Sequence, residues 1–214
     1  MRGAVRRSAP DVPLVFTDNC WTGIGVAALL RDAGWPQSEV QRLAPLTGCG
    51  TVALPVAPVP VVCELPESLG ALMATLEGLM LALTLSLPRS PRYVVLLSGA
   101  PARWLRETLT PVVDGSPAWT IVQVLPGDCR TGLLRQAFST PSRATRERGN
   151  NPQTLSLQEV GVLADLMYRR LAPSEIARQR GISEVMTLRL LGRALRRTGV
   201  RTPQQLMRWR GERM

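Results

Sequence analysis

Arginines stand at positions 189, 193 and 196, a spacing of i, i+4 and i+7 that sets them on one stripe of a helix. Guanidinium groups so arranged reach guanine O6 and N7 or phosphate oxygens. The segment carrying them, 184–197, follows Ala177 and Gly181 at the spacing of a helix-turn-helix. A small residue there lets two helices approach, and glycine takes the positive-φ turn. Ile176, Ile182, Thr187 and Leu190 fall where such a unit needs buried contacts. Val185, Leu188, Arg189, Gly192, Arg193 and Arg196 then point away from the core. A solvated charged face is the competing explanation of the stripe alone. The Ala-Gly turn, which selects the same helix independently, decides against it.

Other chemistry is excluded by what is missing. All 26 basic residues are arginine, and there is no histidine and no lysine. No Ser-His-Asp or Cys-His nucleophile, His-ligated zinc, Schiff base or P-loop lysine is available. Cys20, Cys49, Cys63 and Cys129 show no C-x-x-C spacing, so neither a zinc site nor a thioredoxin-type site is indicated. Three of them lie in or beside apolar runs, where free cysteine behaves as a small hydrophobe. Gly23-Ile24-Gly25-Val26-Ala27-Ala28 matches G-x-G-x-x-A after an apolar strand. It stands too far from the strand end, and no acid follows about 20 residues on in a clear second strand. The chain is expected to be no enzyme and to need no cofactor and no metal.

The charge is uneven. Residues 1–140 hold eleven arginines and ten acids, residues 141–154 three arginines and one acid, and residues 155–214 twelve arginines and five acids. A near-neutral body with a strongly basic end points to an anionic partner at that end.

Short apolar runs alternate with helical segments in the first part. Val12–Asp18, Val59–Glu64, Arg92–Ser98 and Thr120–Leu125 are expected as buried strands, with a weaker one near Val40–Leu43 or Val52–Leu54. Trp21–Ala33, Gly70–Leu87, Pro101–Val113 and Asp128–Phe138 are expected as helices, Asp128 serving as N-cap of the last. Such alternation implies βαβ units and a parallel five-stranded sheet covered on both faces. Gly70–Leu87 is long enough for a membrane span at about 18 residues. Glu77 near its middle is costly in hydrocarbon, so a buried helix is expected. The apolar-poor stretch 141–154 is expected as an exposed linker between a domain at 1–140 and an all-α domain at 155–214. In the latter, Ser156 with Glu159 forms a capping-box pattern, and Val160, Leu163, Leu166 and Met167 supply an apolar face.

Residues 155–209 resemble the LuxR/FixJ/NarL-type helix-turn-helix. The features are Leu155-Ser156 with Glu159, Val162-Leu163, Glu175-Ile176-Ala177, Gly181-Ile182-Ser183, Gly199-Val200 and a last helix at Thr202–Trp209. The family often has Thr-Val where Met186-Thr187 stand, and basic residues where Leu188 and Gly192 stand. The resemblance implies a contact set of Ser183, Val185, Leu188, Arg189, Gly192, Arg193, Arg196 and Arg197 against double-stranded DNA. It also implies Leu206 and Trp209 at a dimer contact, a homodimer or a heterodimer with a related regulator, and RNA polymerase as a further partner.

A five-stranded α/β domain ahead of this module is similar to a NarL-type response regulator. Phe16–Val26 resembles the receiver's first strand and helix start, and Val61–Leu65 its phosphoacceptor strand. The residues departing from a working receiver are Thr17 beside Asp18, where two acids belong, and Glu64, where an aspartate belongs. Ser98 stands for the hydroxyl residue, and Leu125-Pro126 lies where the lysine should follow the last strand. A site short of one acid holds Mg²⁺ poorly. The resemblance thus implies a receiver-like domain that has lost its phosphorelay, as in atypical regulators similar to the capsule-regulator accessory proteins of enteric bacteria. Such a regulator is cytoplasmic and associated with the nucleoid. The alternative is a LuxR-type regulator whose N-terminal domain binds a small molecule; that domain is built on an antiparallel sheet and is usually aromatic-rich, against 4% aromatic residues here.

Overall fold

The computed structural model describes residues 12–47, 54, 59–85, 92–100, 102–114, 120–139 and 154–198. Five parallel strands form one sheet in the order β2-β1-β3-β4-β5, with β1 at Leu14–Phe16, β2 at Glu39–Gln41, β3 at Pro60–Glu64, β4 at Arg92–Ser98 and β5 at Thr120–Pro126. The order is that of a doubly wound sheet, whose strands reverse direction of progression between β1 and β3. The alternative of an antiparallel sensor domain is contradicted, since all four strand pairs run parallel.

Helices cover both faces. Because strand side chains alternate, Val15, Val62 and Val95 face α1 (Cys20–Asp32) and α5 (Thr131–Ser139), packing with Leu30 and Phe138. Leu14, Phe16, Cys63 and Leu96 face the other way, toward α3 (Leu69–Leu85) and α4 (Ala102–Asp114). The short α2 (Ala44–Thr47) packs on α3. Residues 157–197 are helical only: α6 at Leu157–Met167, α7 at Pro173–Arg180 and α8 at Glu184–Arg197.

α3 explains its own composition. It is apolar nearly all round because it is buried nearly all round, between the sheet and α6. No helix among the described residues is long and apolar enough to cross a membrane. One buried core runs from the sheet through α3 into Val160, Leu163, Ile176 and Leu190 of the helical part. Sequence pattern gave no sign of this junction. Its centre is ionic. Glu77 on α3 accepts from Arg169 Nη1 at 3.0 Å and from Arg180 Nη2 at 2.6 Å, and Asp165 accepts from both arginines. Burial by itself lowers the Arg169 and Arg180 pKa values, but their bonds to Asp165 and Glu77 outweigh it, and both guanidinium groups end above the ordinary value. Gly161 makes room for this cluster: a β-carbon there would stand 2.5 Å from Arg180 Nη1 and Glu77 Oε1.

Several expected boundaries change. The first strand is shorter than Val12–Asp18, spanning Leu14–Phe16, although the Thr17 N–H still donates to the Gln41 carbonyl of β2 at 3.0 Å. The weak strand is β2 around Val40, an edge strand; residues 51–53 lie outside the described ones. Asp128 is not the cap of α5, which starts three residues later after a turn closed by Cys129 N–H on the Pro126 carbonyl. Gly23 and Gly25 lie within α1, so the G-x-G-x-x-A match is helix interior and not a phosphate-binding loop. The linker at 141–153 and the last helix with Leu206 and Trp209 lie outside the described residues.

Candidate nucleic-acid interface

The helix-turn-helix forms as its residues dictate. Ser156 caps α6 in a complete capping box, its hydroxyl accepting from the Glu159 N–H while Glu159 returns to the Ser156 N–H at 2.8 Å. α7 begins with Pro173 and ends on Gly181, whose φ of 64° is the left-handed conformation that favours glycine. Ser183 caps α8, its hydroxyl accepting from the Met186 N–H at 3.2 Å. Ile176, Thr187 and Leu190 are buried and Ile182 is half-buried. Thr187 fits the core because its hydroxyl bonds the Ser183 carbonyl at 3.2 Å, leaving its methyl to pack.

α8 packs its buried side, with Leu191 and Ala194, on α6 and α7, while the α/β part packs on α6. The outward side carries Val185, Leu188, Arg189, Arg193 and Arg196, all exposed, with Gly192 half-exposed between them. Val185 is 60% and Leu188 52% exposed, high values for large apolar side chains. The arginines are not equivalent. Arg189 and Arg196 pair with no acid among the described residues, whereas Arg193 lies 3.4 Å from Glu159 and Arg197 donates to Glu159 at 2.7 Å and to the Thr154 carbonyl at 2.9 Å. Glu159 is buried. Arg197, half-buried, therefore ties the C-terminal end of α8 to the start of α6. The sequence pattern pointed to Arg197 as a contact residue, but Glu159 gives it a structural bond. The only available signal was the acid of the capping box, 38 positions away in sequence.

The residues expected at the degenerate phosphoacceptor gather at the C-terminal ends of the strands. Thr17 is buried beyond β1, and its hydroxyl donates to Glu64 Oε2 and accepts from the Asn19 N–H at 2.9 Å. Thr22 donates to Glu64 Oε1 at 3.1 Å. Sequence reading did not single out Thr22; its place one turn into α1 was the signal. Asp18 turns the other way, its Oδ1 accepting from the Leu43 N–H at 3.1 Å. Ser98 accepts from the Ala100 N–H at 3.0 Å and does not join Glu64. Asp18, Glu64 and Glu67 share a cleft, but among the described residues no three acids or cysteines converge as metal ligands. Thr17 brings a hydroxyl rather than a carboxylate to this cleft, and that hydroxyl is committed to Glu64.

No family model matches the chain, and no curated protein matches it at a significant level. Among solved structures, one of RcsB from Salmonella enterica serovar Typhimurium, bound to promoter rprA in the presence of phosphomimetic BeF3-, is similar over 95% of this chain and 100% of that one, with 14% identity and a TM-score of 0.52. A two-component response regulator RcsB-DNA complex covers the same shares at 15% identity and a TM-score of 0.49. Full-length FixJ from B. japonicum covers 92% of this chain and 94% of its own at 16% identity and a TM-score of 0.30. The first of these likenesses is one of fold: the chain has the two-part architecture of a response regulator, a receiver-type α/β part followed by a helix-turn-helix.

Proposed function

We propose that this chain is a DNA-binding transcriptional regulator that holds duplex DNA through α8 and does so without phosphorylation. The observation that carries the reading is the outward side of α8. It is cationic and apolar, exposed among the described residues, and set on the second helix of a helix-turn-helix. In this reading Ser183 and the first two turns approach base edges, Arg189 and Arg196 neutralise phosphates or meet guanine, and Arg193 shares its charge between Glu159 and the duplex. Gly192 leaves open space at its α-carbon, which allows the helix axis to approach the groove. A likeness in fold to a promoter-bound regulator supports the same reading.

The residues beside Glu64 support independence from phosphorylation. Both oxygens of the Glu64 carboxylate are bonded by threonine hydroxyls, Asp18 is bonded by the Leu43 N–H, and the sequence has no lysine. The domain division at 1–140 and 155–214 is part of this reading, with the ionic junction at Glu77 fixing one part on the other. So is dimerisation, by the last helix or by α1, whose Trp21 and Ile24 are exposed one turn apart. A homodimer or a pair with a related regulator then spans two half-sites about one helical turn apart.

The test is a gel-shift comparison of the wild type with the Arg189→Ala/Arg193→Ala double variant, at graded salt. The wild type is expected to lose affinity steeply with salt, and the double variant to bind at least tenfold more weakly, by about 1–3 kcal/mol per base contact. Equal affinities refute the reading.

A further inference from the structure

The cationic side of α8 accounts for attraction to a polyanion but not for Val185 and Leu188. These two stand at i and i+3 on the first turns of α8, and both are more than half exposed. At about 100° per residue they lie on one flank of the outward side, and Arg189 and Arg193 lie on the other. The same two turns hold one further exposed charge, Glu184. In a helix-turn-helix the N-terminal residues of the second helix are those that reach base edges. Val185 and Leu188 are therefore in the reading position, and neither can donate or accept a hydrogen bond.

We propose that Val185 and Leu188 are the specificity-determining residues of this interface and that each packs on the C5-methyl group of a thymine in the major groove. The proposal rests on the duplex-binding reading. Thymine presents the one apolar group on the major-groove edge of the four base pairs. A Leu188 pressed against a G·C edge covers N7, O6 and N4 without bonding them, and a desolvated polar group left unpaired is unfavourable. Against thymine the same side chain trades water for a methyl group. The flanking Arg189 and Arg193 select the partner class, because an apolar patch beside guanidinium groups suits an anionic surface that also carries methyl groups. Arg189, the one cation within the first two turns, is left to meet guanine or the adjoining phosphate.

The full chain is first given a random duplex library, and the retained half-site is synthesised with deoxyuridine replacing thymidine at one position at a time. This exchange removes one methyl group and leaves every hydrogen-bonding atom in place. Fluorescence anisotropy is expected to show about fourfold weaker binding at each of two positions, the worth of one buried methyl-sized group. Leu188→Ala is expected to abolish the deoxyuridine effect at one of them, and Val185→Ala at the other, with circular dichroism and salt dependence unchanged. The proposal is overturned by a retained half-site without thymine, by a half-site in which no thymine methyl matters, or by methyl effects that persist in both variants. It is also overturned if Leu188→Ala alters self-association without DNA and leaves the methyl profile intact, which assigns the patch to a second copy of the chain. Retention of no duplex at all refutes the duplex-binding reading itself and is distinguished from these outcomes at the first step.

Discussion

Glu77→Ala should loosen the junction between the two parts of the molecule. Glu77 is buried on α3 and is bonded at 3.0 and 2.6 Å by arginines that are themselves only 18% and 24% exposed. With Asp165 the four charges sum to zero, so removing Glu77 leaves two guanidinium groups against one carboxylate. Breaking a fully buried pair by removing one partner costs about 3–5 kcal/mol. Both arginines keep some solvent, so we take the lower end, about 3 kcal/mol. For a chain of this size each kcal/mol shifts Tm by roughly 2–4 °C, which gives a fall of about 6–12 °C. Scanning calorimetry measures it, and hydrogen exchange should show loss of protection concentrated in α3 and α6. A double-mutant cycle with Arg180→Ala isolates the pair and should return a coupling above about 1 kcal/mol. A Tm within about 2 °C of wild type, together with a coupling near zero, refutes the packing of α6 on α3.

Acetyl phosphate with Mg²⁺ is expected to leave the intact mass unchanged, because Glu64 is held by Thr17 and Thr22, Asp18 is bonded by the Leu43 N–H, and the sequence has no lysine; addition of about 80 Da, the mass of one phosphoryl group, to an acidic residue contradicts this. Burial pushes the Tyr93 hydroxyl up to about 12 from 10.0. The folded state thus holds this proton more tightly than the unfolded one, so the contribution is complete below pH 10 and disappears as pH rises toward 12. Denaturation midpoints should be flat with pH below 10 and fall above it, a fall that Tyr93→Phe should remove, and a Tyr93 ultraviolet titration midpoint near 10, read in a Tyr168→Phe background, counts against the burial. Maleimide at neutral pH should label the exposed Cys20 rapidly and spare Cys63, whose thiol is buried and pushed far up by desolvation; equal labelling rates in the folded protein contradict the sheet assignment of Cys63.

What the sequence made legible was whatever depends on local pattern. The Ser156–Glu159 box, the Gly181 turn and the apolar runs of β3, β4 and β5 are each set by a few neighbouring residues, and each appears where the pattern places it. The parallel direction of the strands followed from βαβ alternation rather than from any single residue, whereas their order was not legible from it. What was not legible depends on distant partners. Glu77 stood out as a charge in an apolar helix, but its answer lies 92 and 103 positions away at Arg169 and Arg180. Arg197 resembles its neighbours on α8 in sequence, but its partner is Glu159 on α6. Asp18 lines the same cleft as Glu64, but its partner, the Leu43 N–H, stands 25 positions away. β2 and α2 are short and fall in a Pro- and Gly-rich stretch, where neither period has room to show.

The central claim is sequence-selective duplex binding by α8. Its most direct measurement is the ratio of affinities of the full chain for a duplex selected from a random library and for unselected duplex of the same length, at one fixed near-physiological salt concentration. The account predicts enrichment of a discrete motif and a ratio of at least about 10³, falling toward one in a variant with Val185, Leu188 and Arg189 all replaced by alanine. A ratio near one for the wild type, or a selective ratio that survives that triple replacement, contradicts it.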